Sequence, residues 1–195
     1  MNEIVKILEK YNINGFNNPG GTDKATDHSY DKFYSEIFTD FLDKEIDLME
    51  IGVQYGGSAV LWHDLFPKSN LVLIDKFNVV HPSIWGKLNE NRYNFIINDA
   101  FTDTTIESLK SSYPLGFDII IEDGPHTLES QIFAIKNYPK LLKNNGLLII
   151  EDVQKYEYCS IIMNEINKED FKSVEIIDLR GNKNRYDDIL IVVKK

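Results

Sequence analysis

The chain has 195 residues, of which 43% are hydrophobic and 27% charged, a balance typical of a globular protein with one sizeable core. Lys and Arg total 21 against 31 Asp and Glu, so the net charge is −10, which repels a nucleic-acid backbone. We therefore expect no nucleic-acid partner. A single cysteine, Cys159, excludes an internal disulfide and a Cys-rich zinc site.

The first residues, MNEIVKILEKY, mix acidic and basic side chains and do not form a signal peptide. No apolar run approaches the roughly 18 residues that a membrane span requires. We expect a soluble cytoplasmic protein with no membrane partner. The sequence does not decide whether the chain forms a homo-oligomer.

The N-terminal residues 1–45 predict helices and a loop within one domain that spans residues 1–195. Apolar residues from Ile4 to Tyr11 recur at helical spacing. Residues 14–27 form a polar loop rich in Gly, Asn, Thr and Asp, either a solvated connector or a lid. Aromatic residues at helical spacing follow between Tyr30 and Phe38.

Strands and helices then alternate, which predicts an α/β fold with a mostly parallel sheet and helices on both faces. The C-terminal residues 174–179 and 189–193 predict an antiparallel β-hairpin around a polar turn, Gly181–Asn184, and bring the sheet to seven strands. The other predicted strands are 46–51, 71–75, 93–98, 117–122 and 147–151, and the predicted helices are 58–66, 82–89, 104–111, 128–142 and 156–166.

The segment LMEIGVQYGGS, residues 48–58, is typical of a buried strand, a glycine turn and the start of a helix. Gly52, Gly56 and Gly57 permit a sharp turn and a close backbone approach, and a helix N-terminus beginning at Ser58 suits a nucleotide. The alternative is a tight turn that only packs a helix on the sheet.

The glycine spacing matches neither GxGxxG nor a phosphate loop, which disfavours an NAD-dependent oxidoreductase. Glu50 precedes the first glycine, where an acid would repel a pyrophosphate but suit a cationic ligand. S-adenosylmethionine (SAM) carries an ammonium and a sulfonium, so it fits this position better than NAD.

Two aspartates follow the second and third predicted strands, at the edge where ligands of parallel sheets bind. Asp75 can accept hydrogen bonds from both ribose hydroxyls of a nucleoside, with a helix N-cap as the alternative. Asp99 can accept one from the adenine amine, with an Asx turn as the alternative.

The fourth and fifth predicted strands end in acids, Asp123, Glu151 and Asp152. Neighbouring strands lie ~4.8 Å apart, so these carboxylates can share a divalent cation, and all-oxygen ligands favour Mg²⁺, Mn²⁺ or Ca²⁺ over zinc. Glu151 and Asp152 point to opposite faces unless the chain leaves strand geometry. One of them can therefore support the metal ligands without contacting the metal itself. His126, on a Gly-Pro turn, is a candidate general base, because imidazoles titrate near neutral pH.

Four segments in the right order resemble the macrocin-type sugar O-methyltransferases, and the predicted layout resembles the Rossmann-like class I methyltransferases. The segments are GTDKATDHSYDKFY, LMEIGVQYGGS, IIIEDGPHTLESQ and GLLIIEDV. The resemblance implies SAM and Mg²⁺ as cofactors and a deoxysugar hydroxyl as acceptor. It implies that Asp123, Glu151 and Asp152 bind the metal, that His126 is the base, and that Asp75 holds the SAM ribose.

The resemblance also implies that the segment Thr22–Lys24 closes over the cofactor.

We thus expect an O-methyltransferase acting on a sugar hydroxyl of a glycan or a glycosylated small molecule. The alternatives are a catechol-type enzyme, with Trp62, Trp85 and Tyr156 as apolar walls, and a catalytically silent SAM-binding protein. The residues expected to bind SAM are Thr22, Lys24, Glu50, Gly52, Gly56, Ser58, Asp75, Asp99 and Asp123.

Overall fold

A computed structural model describes residues 2–195 and places seven strands in one sheet. The strands are β1 Asp47–Ile51, β2 Asn70–Asp75, β3 Tyr93–Ile97, β4 Phe117–Glu122, β5 Leu142–Ile150, β6 Ser173–Asp178 and β7 Ile189–Lys194. Their order across the sheet is β3-β2-β1-β4-β5-β7-β6. Strands β1 to β5 pair in parallel, and β7 runs antiparallel to both β5 and β6. The predicted fold class is confirmed.

Within residues 2–195, eight helices surround the sheet, together with three short 3₁₀ turns. The helices are α1 Glu3–Lys10, α2 Tyr30–Ile37, α3 Gly57–Leu65, α4 Pro82–Trp85, α5 Asp103–Ser112, α6 Leu128–Asn137, α7 Tyr156–Met163 and α8 Arg180–Lys183. The 3₁₀ turns are Glu90–Arg92, Tyr138–Leu141 and Lys168–Asp170. None of the helices within residues 2–195 is both long and apolar enough to cross a membrane.

Several predicted elements differ from the structure. The helix predicted over residues 128–142 ends at Asn137, where a 3₁₀ turn that contains Pro139 follows, and β5 begins at Leu142 and not at residue 147. The helix predicted over residues 156–166 ends at Met163. The helix predicted over residues 82–89 ends at Trp85, because its turn closes at Gly86 and Asn89 adopts an extended backbone that caps a 3₁₀ turn. The polar turn predicted at Gly181–Asn184 contains α8, which ends where Asn184 adopts a left-handed conformation with φ 57°. Asn tolerates that conformation better than most residues.

The sheet separates two apolar cores, because successive residues of each strand point to opposite faces. Leu48 and Ile119 pack on one face with α1, α2 and α3, around the buried ring of Trp62. Met49 and Ile120 pack on the other face with α5, α6 and α7. The strand tips therefore sit on a scaffold that is packed from both sides.

The start of α6 is fixed by a capping box. The Ser130 backbone N–H donates to Thr127 Oγ1 over 3.1 Å, and the Thr127 N–H donates to Ser130 Oγ over 3.2 Å. This reciprocal pair satisfies two otherwise free donors at the helix start. His126 precedes the cap directly, so the capping box fixes the point in the chain from which its side chain projects.

We expect Gly52→Ala to destabilise the fold by several kcal/mol. Gly52 has φ +86°, and an added Cβ would collide with the carbonyl oxygen of Asp123. Gly181→Ala is the matched control, because a Cβ there meets no atom within 4 Å. Thermal unfolding followed by circular dichroism measures both variants. Equal unfolding temperatures for the two would contradict this packing of the turn.

Candidate active site at the carboxyl ends of the strands

A cavity of about 1050 Å³ opens beside the carboxyl ends of β1, β2, β4 and β5. In parallel sheets this edge is where ligands bind. Most residues predicted to form the site border it, namely Thr22, Gly52, Ser58, Asp75, Asp99, Asp123, His126 and Asp152. The structure thus brings the glycine turn and the cluster at the tips of β4 and β5 to one cavity.

Four predicted site residues do not border the cavity: Lys24, Glu50, Gly56 and Glu151. Lys24 and Glu151 are each 1% exposed, and Glu50 is fully buried. The Lys24 ammonium donates to Asp123 Oδ2 over 2.7 Å and to Glu151 Oε2 over 2.5 Å. Glu50 Oε1 accepts from the indole N–H of Trp62 over 2.8 Å. These side chains lie behind the cavity wall and can act on a ligand only through their neighbours.

The buried Lys24 stays charged. Burial by itself lowers the pKa of Lys24, but Asp123, Glu151 and Glu50 outweigh burial and hold that pKa well above its ordinary value. Without the ammonium, several carboxylates would face one another in a medium of low polarity. Lys24 is therefore the positive charge that allows so many acids to gather at the strand tips.

Two tyrosines of α2 donate to the acids that follow β5. The Tyr34 hydroxyl donates to Glu151 Oε1, and the Tyr30 hydroxyl donates to Asp152 Oδ1. The spacing of four residues puts both rings on one helix face. From the sequence this face predicted only aromatic packing. Sequence reasoning missed the two hydroxyls as donors, because no local pattern told which strand tip the helix would meet.

The backbone turns between Glu151 and Asp152. Asp152 has φ 54°, so the chain leaves strand geometry there, the condition under which both acids could face one ion. The turn points the two side chains to different places: Glu151 meets Lys24, and Asp152 borders the cavity. The side-chain amide of Gln131 donates to the Glu151 carbonyl oxygen over 2.9 Å and secures this turn.

Asp123, His126 and Asp152 converge at the cavity. His126 Nε2 lies 3.7 Å from Asp123 Oδ1 and 3.6 Å from Asp152 Oδ2, and the three side chains offer ligand atoms within 4.8 Å of one another. Burial, together with the charge of Asp123, raises the pKa of Asp152 to about 7, although His28 and Tyr30 oppose this. Crowded carboxylate oxygens of this kind fit a divalent cation such as Mg²⁺ or Mn²⁺. The predicted third ligand, Glu151, is not part of this group.

Asp75 braces the glycine turn. Its Oδ2 accepts from the N–H groups of Val53 and Gln54 over 2.8 and 3.0 Å, and its Oδ1 accepts from Phe77 N–H over 3.1 Å. The alternative role of a helix cap is not observed, because His81 caps the next helix, α4. Binding of a ribose by Asp75 stays a prediction, and it must use the lone pairs that these bonds leave free.

Asp99 forms the Asx turn that was one interpretation, and it also borders the cavity, as the other interpretation, a contact with adenine, requires. Its Oδ1 accepts from Phe101 N–H over 3.0 Å, which is an Asx turn, and the carboxylate also borders the cavity. Lys76 donates to Oδ2 over 2.9 Å, and this bond, together with the Phe101 N–H, lowers the pKa of Asp99. A contact with an adenine amine therefore stays a prediction.

The glycines of the turn permit close packing of protein against protein. A Cβ on Gly56 would meet Val80 and Ile84, and a Cβ on Gly57 would meet the backbone of residues 20–22. These contacts are with Val80, with α4 and with the loop that contains Thr22, and not with the sheet, so neither interpretation of the turn is decided by them. Gly52 and Gly57 also border the cavity, so the same turn forms part of its floor.

The predicted polar loop of residues 14–27, together with the adjoining His28, is tied to the C-terminal part of the chain. The Lys183 ammonium donates to the carbonyl oxygens of Ala25, Thr26 and His28 over 2.9, 2.6 and 2.6 Å. His28 is 1% exposed, and its Nδ1 lies 2.6 Å from Asp188 Oδ1. The sequence did not single out Asp188 or Lys183, since they lie 160 and 155 residues beyond His28 along the chain.

No protein-family model matches the chain. A tetracenomycin rhamnosyl 2'-O-methyltransferase from Streptomyces olivaceus is 27% identical over 142 residues, which cover 69% of this chain and 35% of that protein. Mycinamicin VI 2''-O-methyltransferase from Micromonospora griseorubida is 24% identical over 133 residues, or 65% of this chain and 32% of that protein. The chain thus spans about a third of the length of these curated relatives.

Two solved structures share the fold. MycE methyltransferase of the mycinamycin pathway, in complex with Mg, S-adenosylhomocysteine (SAH) and mycinamycin VI, has a TM-score of 0.73 at 17% identity over 99% of this chain and 53% of its own. An O-methyltransferase from Bacillus cereus, in complex with SAH, has a TM-score of 0.66 at 14% identity over 99% of this chain and 89% of its own.

The chain therefore has the Rossmann-like fold of the class I SAM-dependent methyltransferases. The resemblance to sugar O-methyltransferases that the four sequence segments predicted is confirmed by the sequence similarity to the rhamnosyl 2'-O-methyltransferase.

We expect Glu50→Gln to change how stability depends on pH. Burial raises the pKa of Glu50 from 4.5 to about 7, against the opposing effects of Lys24 and Trp62. The folded state thus holds a proton that the unfolded chain loses above pH 4.5. Between about pH 5 and 7, the wild-type free energy of unfolding should fall relative to that of E50Q by up to about 1.4 kcal/mol per pH unit.

Urea denaturation across this pH range measures the difference between the wild-type chain and E50Q. The amide that replaces the carboxyl group in E50Q keeps an oxygen for the Trp62 indole, so packing is preserved. Parallel pH profiles for the two chains would show that Glu50 ionises in the folded protein as it does in the unfolded one.

Proposed function

We propose that this chain is a SAM-dependent O-methyltransferase that acts on a sugar hydroxyl, with a divalent cation held beside Asp123 and Asp152. The observation that carries the proposal is one cavity that joins the glycine turn to the group Asp123, His126 and Asp152. One relative is named as the O-methyltransferase of a rhamnosyl compound, which supports an acceptor that is a glycan or a glycosylated small molecule.

The cofactor side of the cavity is formed by the glycine turn and the tips of β2 and β3. Thr22, Gly52, Ser58, Asp75 and Asp99 border this side. SAM, when bound, supplies the electrophilic methyl group. Glu50 and Lys24, which the sequence suggested as cofactor contacts, support this wall from behind. Their contribution to SAM binding is indirect, through Trp62 and Asp123.

The metal side of the cavity offers one free carboxylate oxygen from each of two strand tips. Asp123 Oδ1 and Asp152 Oδ2 both lie within 3.7 Å of His126 Nε2. A divalent cation, when bound, makes an acceptor hydroxyl more acidic and orients it. The part played by the chain is to hold these two oxygens in place, which Lys24 and Tyr30 do through their bonds to the opposite oxygens.

His126 can remove the acceptor proton. Its ring is 29% exposed at the cavity, and Nε2 is the nitrogen that faces the two aspartates. Nδ1 is buried and has no partner among the described residues, so Nε2 is the nitrogen available to the acceptor. The left-handed backbone at His126, with φ 54°, and the α6 cap after it hold the ring in position.

The three rings proposed as apolar walls for a catechol-type enzyme lie outside the cavity. Trp62 is fully buried with its indole bonded to Glu50, and Trp85 stacks on Tyr93. Tyr156 lies under the guanidinium of Arg180. None of these three rings borders the cavity. Other aromatic rings, among them Phe77, Phe101 and Tyr186, do border the cavity. The choice of a sugar acceptor therefore rests on the relative named for a rhamnosyl group and not on the cavity walls.

We expect the purified chain to convert SAM to SAH when it is given Mg²⁺ or Mn²⁺ and a suitable glycoside. A panel of rhamnosides, other deoxysugar glycosides and catechols, followed by chromatography of SAH, identifies the acceptor class. Excess EDTA should abolish turnover, because the two aspartates lose their shared cation. Added Mn²⁺ should restore turnover. Full turnover in EDTA would remove the metal from the mechanism.

We expect His126→Gln to lower kcat by about 10²–10⁴-fold, the usual contribution of a general base. Affinity for SAH, measured by calorimetry, should stay unchanged, because the ring faces the acceptor side. His81→Gln is the matched control, since His81 caps α4 outside the cavity. A collapse of SAH affinity would place His126 in the cofactor pocket, and an unchanged kcat would assign the base elsewhere.

A further inference from the structure

The Lys24 ammonium sits where a cation shared by the strand-tip acids could otherwise lie. It is in hydrogen-bond contact with the tips of both β4 and β5, through Asp123 and Glu151. Its side chain is 2% exposed, and it reaches this place from the loop that borders the cavity at Thr22. A lysine buried this deeply is rare unless acids surround it.

Glu151 has no free oxygen for a metal. Its Oε2 accepts from Lys24, its Oε1 accepts from the Tyr34 hydroxyl, and its side chain is 1% exposed. A divalent cation in contact with Glu151 would also lie next to the ammonium and be repelled by it. Glu151 therefore forms a buried ion pair with Lys24.

Asp123 divides its two oxygens between the internal pair and the cavity. Oδ2 accepts from Lys24, and Oδ1 lies 3.7 Å from His126 Nε2. Asp152 is divided in the same way, with Oδ1 bonded to the Tyr30 hydroxyl and Oδ2 beside His126. Each aspartate therefore offers one oxygen to the cavity and anchors the other.

We propose that Lys24 is a positioning residue that withdraws Glu151 from the metal site and turns Asp123 Oδ1 toward the cavity. The cation is then held by two carboxylates, Asp123 and Asp152, and not by three. This inference rests on the proposed function for the presence of a cation, and it assigns the ligand set within that site.

The test is Mn²⁺ binding, measured by electron paramagnetic resonance or calorimetry in the presence of SAH and without acceptor. Glu151→Gln should leave the Mn²⁺ dissociation constant within about threefold of wild type, whereas Asp152→Asn should weaken binding by at least about tenfold. Glu122→Gln is the matched control, because Glu122 is a second fully buried strand-tip acid that does not border the cavity. Equal losses in E151Q and D152N would overturn the proposal.

A second measurement tests the role of Lys24 itself. Lys24→Met frees Glu151 to become a third carboxylate ligand, so Mn²⁺ should bind at least about tenfold more tightly than in wild type, because affinity rises with ligand charge. Part of this gain comes from the lost ammonium beside Asp123 and should persist in the double variant K24M/E151Q. The part that comes from Glu151 should disappear there, so K24M/E151Q should bind Mn²⁺ at least about threefold more weakly than K24M. A gain that depends on Glu151 is the readout that a merely structural lysine would not give. Equal Mn²⁺ affinities in K24M and K24M/E151Q, or no gain in folded K24M, would overturn the proposal.

The two levels of inference can fail separately. If wild type binds no Mn²⁺, the two-carboxylate site is overturned, even where SAH is still formed. If SAH is formed with none of the acceptors, the proposed function fails, while the comparison of Mn²⁺ affinities still decides the ligand set.

Discussion

The buried ammonium of Lys24 lies between Asp123 and Glu151, and the arrangement of the strand tips depends on it. Carboxylates that follow adjacent strands repel one another when water is excluded, unless a positive charge is built in. In other proteins, removal of one partner from such a buried pair costs about 3–5 kcal/mol. Because Lys24 belongs to the loop of residues 14–27, the same bonds tie that loop to the tips of β4 and β5.

A second layer of polar contacts supports this centre from α2 and the C-terminal part of the chain. The hydroxyls of Tyr30 and Tyr34 donate to the two acids after β5. Lys183 binds three carbonyl oxygens of the loop, and Asp188 accepts from the Ser29 hydroxyl. The site is therefore assembled from segments near both ends of the chain, which meet at the tips of β4 and β5.

The cavity combines two surfaces of different chemistry, which suits a transfer between a cofactor and a polar acceptor. Glycines and backbone form its floor beside Asp75, where close approach is possible. Acids and His126 form the other end, which is where the proposed function requires the acceptor hydroxyl.

The sequence by itself determined the fold class and the positions of the acids, because strand and helix periodicity and the glycine turn are local patterns. It placed Asp123, His126 and Asp152 near one another, since tips of adjacent parallel strands must meet. Only the tertiary structure decided that Glu151 turns away from the cavity and that Lys24 lies behind the wall. Those outcomes depend on a positive φ at Asp152 and on a contact between Lys24 and Glu151, 127 residues apart, which no local pattern records.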